Sequence, residues 1–189
     1  LNKVLERTSS RLVCRQINRS NSNLSSNEIR NIYQDSKGRI WVATVFGLNL
    51  LEKHDTEHES FRFRIFTNEY MSDSAISYND IVHIYEDRRK DLWFLTFGGG
   101  VNKLVSLKPG YARFSHITTA DGLVNNAVFG VLEDNTGDLW FSTESGISHI
   151  RTDAGRIENF DRKNGLQTDR FSENTCTRLR NGNLLFGSM

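Results

Sequence analysis

Residues 29–41 read IRNIYQDSKGRIW, residues 81–93 read IVHIYEDRRKDLW and residues 128–140 read VFGVLEDNTGDLW. The three windows share one length and one order: an apolar start, an Asp, a four-residue polar turn, an apolar residue, then Trp. The Trp-to-Trp steps are 52 and 47 residues, a period in the range of propeller blades and kelch-like modules. After each Trp a short apolar run ends in Thr44, Thr96 or Thr143. A glycine-containing turn follows, and the next strand opens at Gly47-Leu48, Gly100-Val101 or Gly146-Ile147. A fourth strand is expected at Phe61 to Phe66, Tyr111 to Ile117 and Arg156 to Phe160. β-Branched and aromatic residues fill these segments and Gly, Asn, Asp and Ser separate them, which is strand and turn chemistry rather than helix chemistry.

Each repeat is thus expected to be a four-stranded antiparallel unit, and one such sheet cannot bury both faces unless others stack on it. The ends follow the same alignment. Leu1-Asn2-Lys3-Val4-Leu5 matches Val101-Asn102-Lys103-Leu104-Val105, so the chain is expected to open on the third strand of a unit. Leu179 to Gly187 matches the first hairpin, with Leu185 where Trp stood. The reading is an all-β, partial β-propeller of about four blades' worth, cut mid-blade at both ends. Its divisions are 1–28 (outer strands of a truncated blade plus connector), 29–80, 81–126 and 127–172 (blades), and 173–189 (first hairpin of a truncated blade). Unpaired edges invite association, so the first hairpin is expected to complete the last one, within the chain or in a homodimer.

Trp41, Trp93 and Trp140 read as inter-blade core, because an aromatic buries much apolar area there. Asp35, Asp87 and Asp134 read as turn formers whose carboxylates bond nearby backbone amides. In the second repeat Arg88-Arg89-Lys90 stands where the siblings carry Gly38 or Gly137, which puts a regular turn there in doubt.

With 37% hydrophobic and 25% charged residues over 189 positions, the chain can form a core and is not disordered. A formal charge of +1 with no long run of one sign argues against nucleic acid as a partner. No apolar run reaches the roughly 20 residues of a spanning helix, so no membrane contact is expected of this segment. Cys14 and Cys176 fit no metal spacing, and a bridge between them stays open.

The unit of apolar strand, Asp-bearing turn, Leu/Ile-Trp-Phe/Val and Thr resembles the two-component-regulator propeller repeat. The best copies are EDNTGDLWFSTESGI at 133–147 and QDSKGRIWVATVFGL at 34–48. The segments Asn23 to Asn27 and Asp121 to Asn126 are similar to the family's lead into each innermost strand. The resemblance implies the periplasmic sensor region of a hybrid two-component system of the Bacteroidetes type, often devoted to glycans. It also implies a histidine kinase in the same protein but outside this segment, and places the chain at the tail of a second propeller.

No catalytic constellation emerges. His54 and His58 lie in a polar connector rather than on one helix face, so no zinc site is read there. The run Asp134 to Asp138 resembles a calcium loop but lacks the distal bidentate Glu. Glu86-Asp87 and Glu133-Asp134 recur at equivalent strand ends, which is architecture rather than acid/base chemistry. Gly98-Gly99-Gly100 lacks the context and Lys of a phosphate loop and reads as a turn. No metal and no cofactor is expected.

Ligand contacts in propellers usually come from the loops of one face. Those loops offer Phe46, Phe97, Glu144, Asn27, Tyr78, Asn79, Asn126 and Arg170. Rings beside amides, an acid and a guanidinium suit sugar recognition by stacking and directed hydrogen bonds. The expected function is a non-catalytic sensor of an extracellular glycan or other small molecule, working with the rest of the sensor protein. The alternatives are the propeller of a secreted carbohydrate-active enzyme such as a lyase, and a structural scaffold.

Overall fold

A computed structural model describes residues 1–7, 11–55, 60–68, 75–153 and 155–188. Among them the strands form five antiparallel sheets. The first sheet pairs β1 (Asn2–Arg7) with β2 (Leu12–Gln16). The second orders β3 (Ile29–Gln34), β4 (Ile40–Thr44), β5 (Gly47–Asp55) and β6 (Ser60–Phe66). The third orders β7 (Ile81–Glu86), β8 (Leu92–Thr96), β9 (Val101–Lys108) and β10 (Tyr111–Ile117). The fourth orders β11 (Val128–Glu133), β12 (Leu139–Thr143), β13 (Gly146–Arg151) and β14 (Arg156–Phe160). The last pairs β15 (Phe171–Arg178) with β16 (Leu184–Ser188). Every sheet is a meander, the topology of a propeller blade.

The alternation of side chains along each second strand explains the stacking, since neighbours on a strand face opposite sides. Trp41 and Ala43 of β4 pack with Leu92 and Phe94 of β8. Trp93 and Leu95 of β8 pack with Leu139 and Phe141 of β12, and Trp140 packs with Phe171 and Phe186 of the last sheet. Each Trp thus faces the following sheet, and the residue after it faces the preceding one. The tilted Trp41–Phe94 pair has ring centroids 5.3 Å apart. On the other side Val42 and Phe63 meet Ile17 and Leu24 of the first hairpin region.

Two expectations change. The first and last hairpins do not complete one another within the chain: they form separate two-stranded sheets, one packed on the sheet of β3 to β6 and the other on that of β11 to β14. Each hairpin finds its apolar partner face to face, in the neighbouring sheet. The turn at Arg88 to Asp91 is regular after all. Asp87 N donates to Asp91 O and Lys90 N to Asp87 O, as Asp35 N does to Arg39 O and Gly38 N to Asp35 O. Lys90 simply adopts φ +69° where Gly38 has +75°.

A non-glycine residue in that region is strained, while glycine loses more entropy on folding. Lys90→Gly is therefore expected to raise stability by about 0.5–1 kcal/mol, read as a higher urea midpoint. A lower midpoint would show that the lysine side chain contributes more than its backbone costs.

The recurring Asp does more than shape a turn. Asp35 Oδ1 accepts from the backbone N–H groups of Lys37 and Arg39, and its Oδ2 accepts from Trp41 Nε1 at 2.8 Å. Asp87 and Asp134 accept from Trp93 and Trp140 Nε1 at 2.9 and 2.8 Å. One carboxylate thereby satisfies both the turn and the indole it leads to. In the last copy the turn keeps its bonds, Leu179 N to Asn183 O and Gly182 N to Leu179 O. There Leu179 and Leu185 occupy the Asp and Trp positions, so both partners of the missing bond are replaced together.

Burial opposes the charge on Asp134, but the Trp140 N–H, the Thr136 hydroxyl and backbone amides outweigh it, bringing the carboxyl from 3.8 down to about 2. Asp35 is lowered by the same balance, with burial opposed by Trp41 and Arg39. A depressed folded value stabilises fully above the unfolded value and stops doing so as pH falls through the folded one. Stability is thus expected to decline from about pH 4 to about pH 2. Asp134→Asn should flatten part of that decline in acid titrations followed by circular dichroism. An unchanged slope would remove Asp134 as a cause.

Candidate functional site: the loop face

Threonines build the turns of one face. Thr44, Thr96 and Thr143 are fully buried, and their Oγ1 atoms donate to the carbonyls of Gly47, Gly100 and Gly146 at 2.8–2.9 Å. Each Oγ1 also accepts a backbone N–H of the turn, from Phe46, Gly99 and Ser145. The turn is satisfied from within, and its tip residues are left outward. Opposite each turn runs the connector from the preceding blade. Ser25 and Ser77 are pinned through their N–H groups to the buried Asn49 and Asn102 side chains, and Val124 to Ser148.

Between turn and connector lie clefts. The larger one, about 690 Å³, is lined by Glu28, Arg30, Val45, Phe46, Asn68, Tyr78, Asn79 and Asp80. Phe46 is 63% exposed and Tyr78 43%. The glycine run explains where Tyr78 lies. A Cβ at Gly98 would meet the Tyr78 ring at 3.2 Å, and one at Gly99 would meet Ser77 Oγ at 2.5 Å, so glycine lets the turn and connector touch.

Arg30 sits deepest. The register of β3 shifts between Ile29 and Asn31, and equivalent shifts occur at Ile81/His83 and Val128/Gly130. Each innermost strand thus carries a bulge at its second residue, and a bulge re-aims the side chain it frees. In two copies that residue is apolar, Val82 and Phe129. In the first it is Arg30, whose Nε and Nη2 bond both oxygens of Asp80 at 3.1 and 2.8 Å while Nη1 reaches Glu173 at 2.8 Å. The Asp80 bonds hold the guanidinium in its charged form, against a smaller opposing effect of burial. Phe97, 43% exposed, lies under this guanidinium at 6.0 Å and beside Phe129 at 5.7 Å.

The candidate residues do not converge on one spot. Phe46, Tyr78 and Asn79 share the first cleft. Glu144 and Arg170 line a second, about 480 Å³, with Asp161, Arg162 and Asp169. Asn27, Asn79 and Asn126 occupy one repeat position and use Oδ1 to hold the connectors, accepting from the N–H groups of Arg19, Asn68 and Thr119. Arg30 and Asp80 were missed by sequence reasoning. The available signal was the charge at position 30 where the other repeats carry Val82 and Phe129.

Other candidates resolve simply. Glu86 accepts from Ser36 N and Oγ, and Glu133 from Arg88, so both acids tie adjacent blades together. Cys14 is exposed, Cys176 is partly buried against Val131, and both are free thiols. His58 lies outside the described residues.

Three segments, 23–46, 75–98 and 122–145, match the two-component regulator propeller family. Each of the three complete blades thus carries one segment similar to a two-component regulator propeller repeat. These repeats are 26% identical over 164 residues to Histidine kinase P4 of Formosa agariphila, covering 87% of this chain and 12% of that protein. The extracellular domain assigned to the hybrid two-component system BT3049 of B. thetaiotaomicron superposes with a TM-score of 0.76 at 28% identity. That match covers 95% of this chain and 23% of that one. The propeller fold alone is shared with virginiamycin B lyase from Staphylococcus aureus, at TM-score 0.57 and 15% identity, covering 85% of this chain and 49% of the lyase. The chain therefore spans a small part of the signalling proteins it matches. Among the described residues no helix is long and apolar enough to cross a membrane.

Proposed function

We propose that this chain is part of the ligand-sensing, periplasmic propeller of a hybrid two-component histidine kinase, and that it binds rather than transforms its ligand. The observation that carries the reading is the loop face itself. Phe46, Tyr78 and Phe97 stay exposed around the ion-paired Arg30, on turns and connectors held rigid by buried Thr and Asn side chains. Exposed rings on a rigid frame suit the apolar faces of a sugar, and the Arg30–Asp80 pair and Asn79 offer directed polar contacts to hydroxyls. The kinship with histidine kinase sensors supports the signalling role, with the kinase beyond this segment and the remaining blades as its first partners.

The test is calorimetric titration of the complete extracellular region with a panel of oligosaccharides. A binder is expected, and Phe46→Ala or Tyr78→Ala should each weaken it about tenfold, or about 1.4 kcal/mol. A panel without a binder, together with capture of a partner protein by this face, would replace the sensor reading with an interaction surface. New reducing ends on incubation with polysaccharide would replace it with a lyase-like enzyme. A two-fold dimer in light scattering would indicate exchange of the end hairpins between copies.

A further inference from the structure

The faces of the three repeated Trp rings are covered differently, and the difference assigns a site. The residue opposite the Trp on the third strand is Leu50, Lys103 or His149. The residue four after the turn Asp is Arg39, Asp91 or Asp138. In the first blade Arg39 supplies the positive charge, 2.6 Å from Asp35 and 5.4 Å over the Trp41 ring. In the second Lys103 does so, 2.6 Å from Asp91 and 5.2 Å over Trp93. In the third blade two carboxylates, Asp134 and Asp138, converge, and the ion pairs they make among the described residues come from His149 alone.

His149 Nε2 is buried without a hydrogen-bond partner. It stands 3.4 Å from Asp138 Oδ2 and 3.9 Å from Asp134 Oδ2, and the three ligand atoms lie within 4.8 Å of one another. Bonds of 2.0–2.1 Å to a tetrahedral ion place ligand atoms ~3.3 Å apart, so the side from His149 to Asp138 already has that length and the other two must draw in. The ligands are already oriented. The His149 ring stacks on Trp140 at 4.0 Å, Trp140 Nε1 holds Asp134, and the Thr152 N–H holds the far oxygen of Asp138 at 3.0 Å. Such outer contacts are what tune a metal site.

We propose that Asp134, Asp138 and His149 bind a divalent transition ion of the zinc class, which takes the place of the cation that Arg39 and Lys103 supply in the sibling blades. One imidazole and two carboxylates suit zinc or cobalt, with the fourth position open to water. The site lies at the turn of the β11–β12 hairpin, apart from the loop-face clefts, and its role is to tie that turn to the third strand.

The experiment uses the whole chain, freed of metal by chelation, titrated with zinc chloride near neutral pH. One site is expected, accompanied by a rise in unfolding temperature. Cobalt substitution should give tetrahedral absorption bands and quench part of the tryptophan emission, through Trp140. His149→Gln and Asp138→Asn should each weaken binding at least about tenfold. His149→Lys copies the Lys103 arrangement, so it should keep the fold and lose the zinc response. No one-site binding below about 1 mM, or binding that persists in His149→Lys, overturns the proposal.

Discussion

Trp41→Ala is expected to lower stability by about 3–5 kcal/mol, the range for removing a fully buried large aromatic. The ring is completely buried between two sheets and packs on Phe66 and Phe94 at 6.0 and 5.3 Å. Truncation empties that seam and takes the indole donor from the Asp35 carboxylate, which is 4% exposed and keeps Arg39 on the same oxygen. The same change at Trp140 should cost less, because that ring is only partly buried against the two-stranded last sheet. Urea unfolding of both variants checks this, and equal losses would contradict the seam argument. Asp35→Leu alone should also be costly, since it leaves a buried N–H unpaired, about 1–3 kcal/mol. The double change to Leu at 35 and 41 should cost less than the sum of its parts, and a strictly additive cycle would show that the bond contributes nothing.

The second large effect is expected at Gly100. Its φ is +74°, and a Cβ there would lie 2.2 Å from the carbonyl oxygen of Ile117. The atom it meets is main chain, and the backbone that carries the Cβ is held in place, because Gly100 N donates to Asn126 O and Gly100 O accepts from Thr96. Gly100→Ala should therefore cost about 2–3 kcal/mol, combining the strain of a disfavoured backbone with displacement of the next connector. Gly110 provides the control. It has a similar φ of +71° but open space around its Cβ position, so Gly110→Ala should cost only about 1 kcal/mol. If the two variants unfold alike, backbone conformation alone accounts for the effect and the close approach to Ile117 does not matter.

The fold was legible because its determinants are local and repeated. Trp spacing, Thr at the end of the second strand and the glycine after it each report one hairpin, and three copies fix the register of the strands between. What was not legible depends on contacts across the repeat. Asp35 and Trp41 stand at a constant interval of six residues, and only the antiparallel pairing of β3 with β4 brings indole to carboxylate. Lys90 hides its left-handed backbone because the turn is held by bonds through Asp87 that do not depend on the residue at 90. Arg30 meets Asp80 and Glu173 across 50 and 143 residues, so no local pattern could announce the pair. His149 comes beside Asp138 through the β12–β13 register and the fold of the hairpin before it.

The joint replacement at Leu179 and Leu185 bears on how such a chain can change over time. A route from Asp and Trp to Leu and Leu by single substitutions must pass through a carboxylate lacking its indole or an indole lacking its acceptor. In a closed seam such as that of Asp35 and Trp41 either intermediate carries a buried orphaned group, whereas Leu179 and Leu185 are 39% and 50% exposed. Where the seam is closed the two positions act as coupled letters rather than independent ones, and a single change there costs more than the paired change.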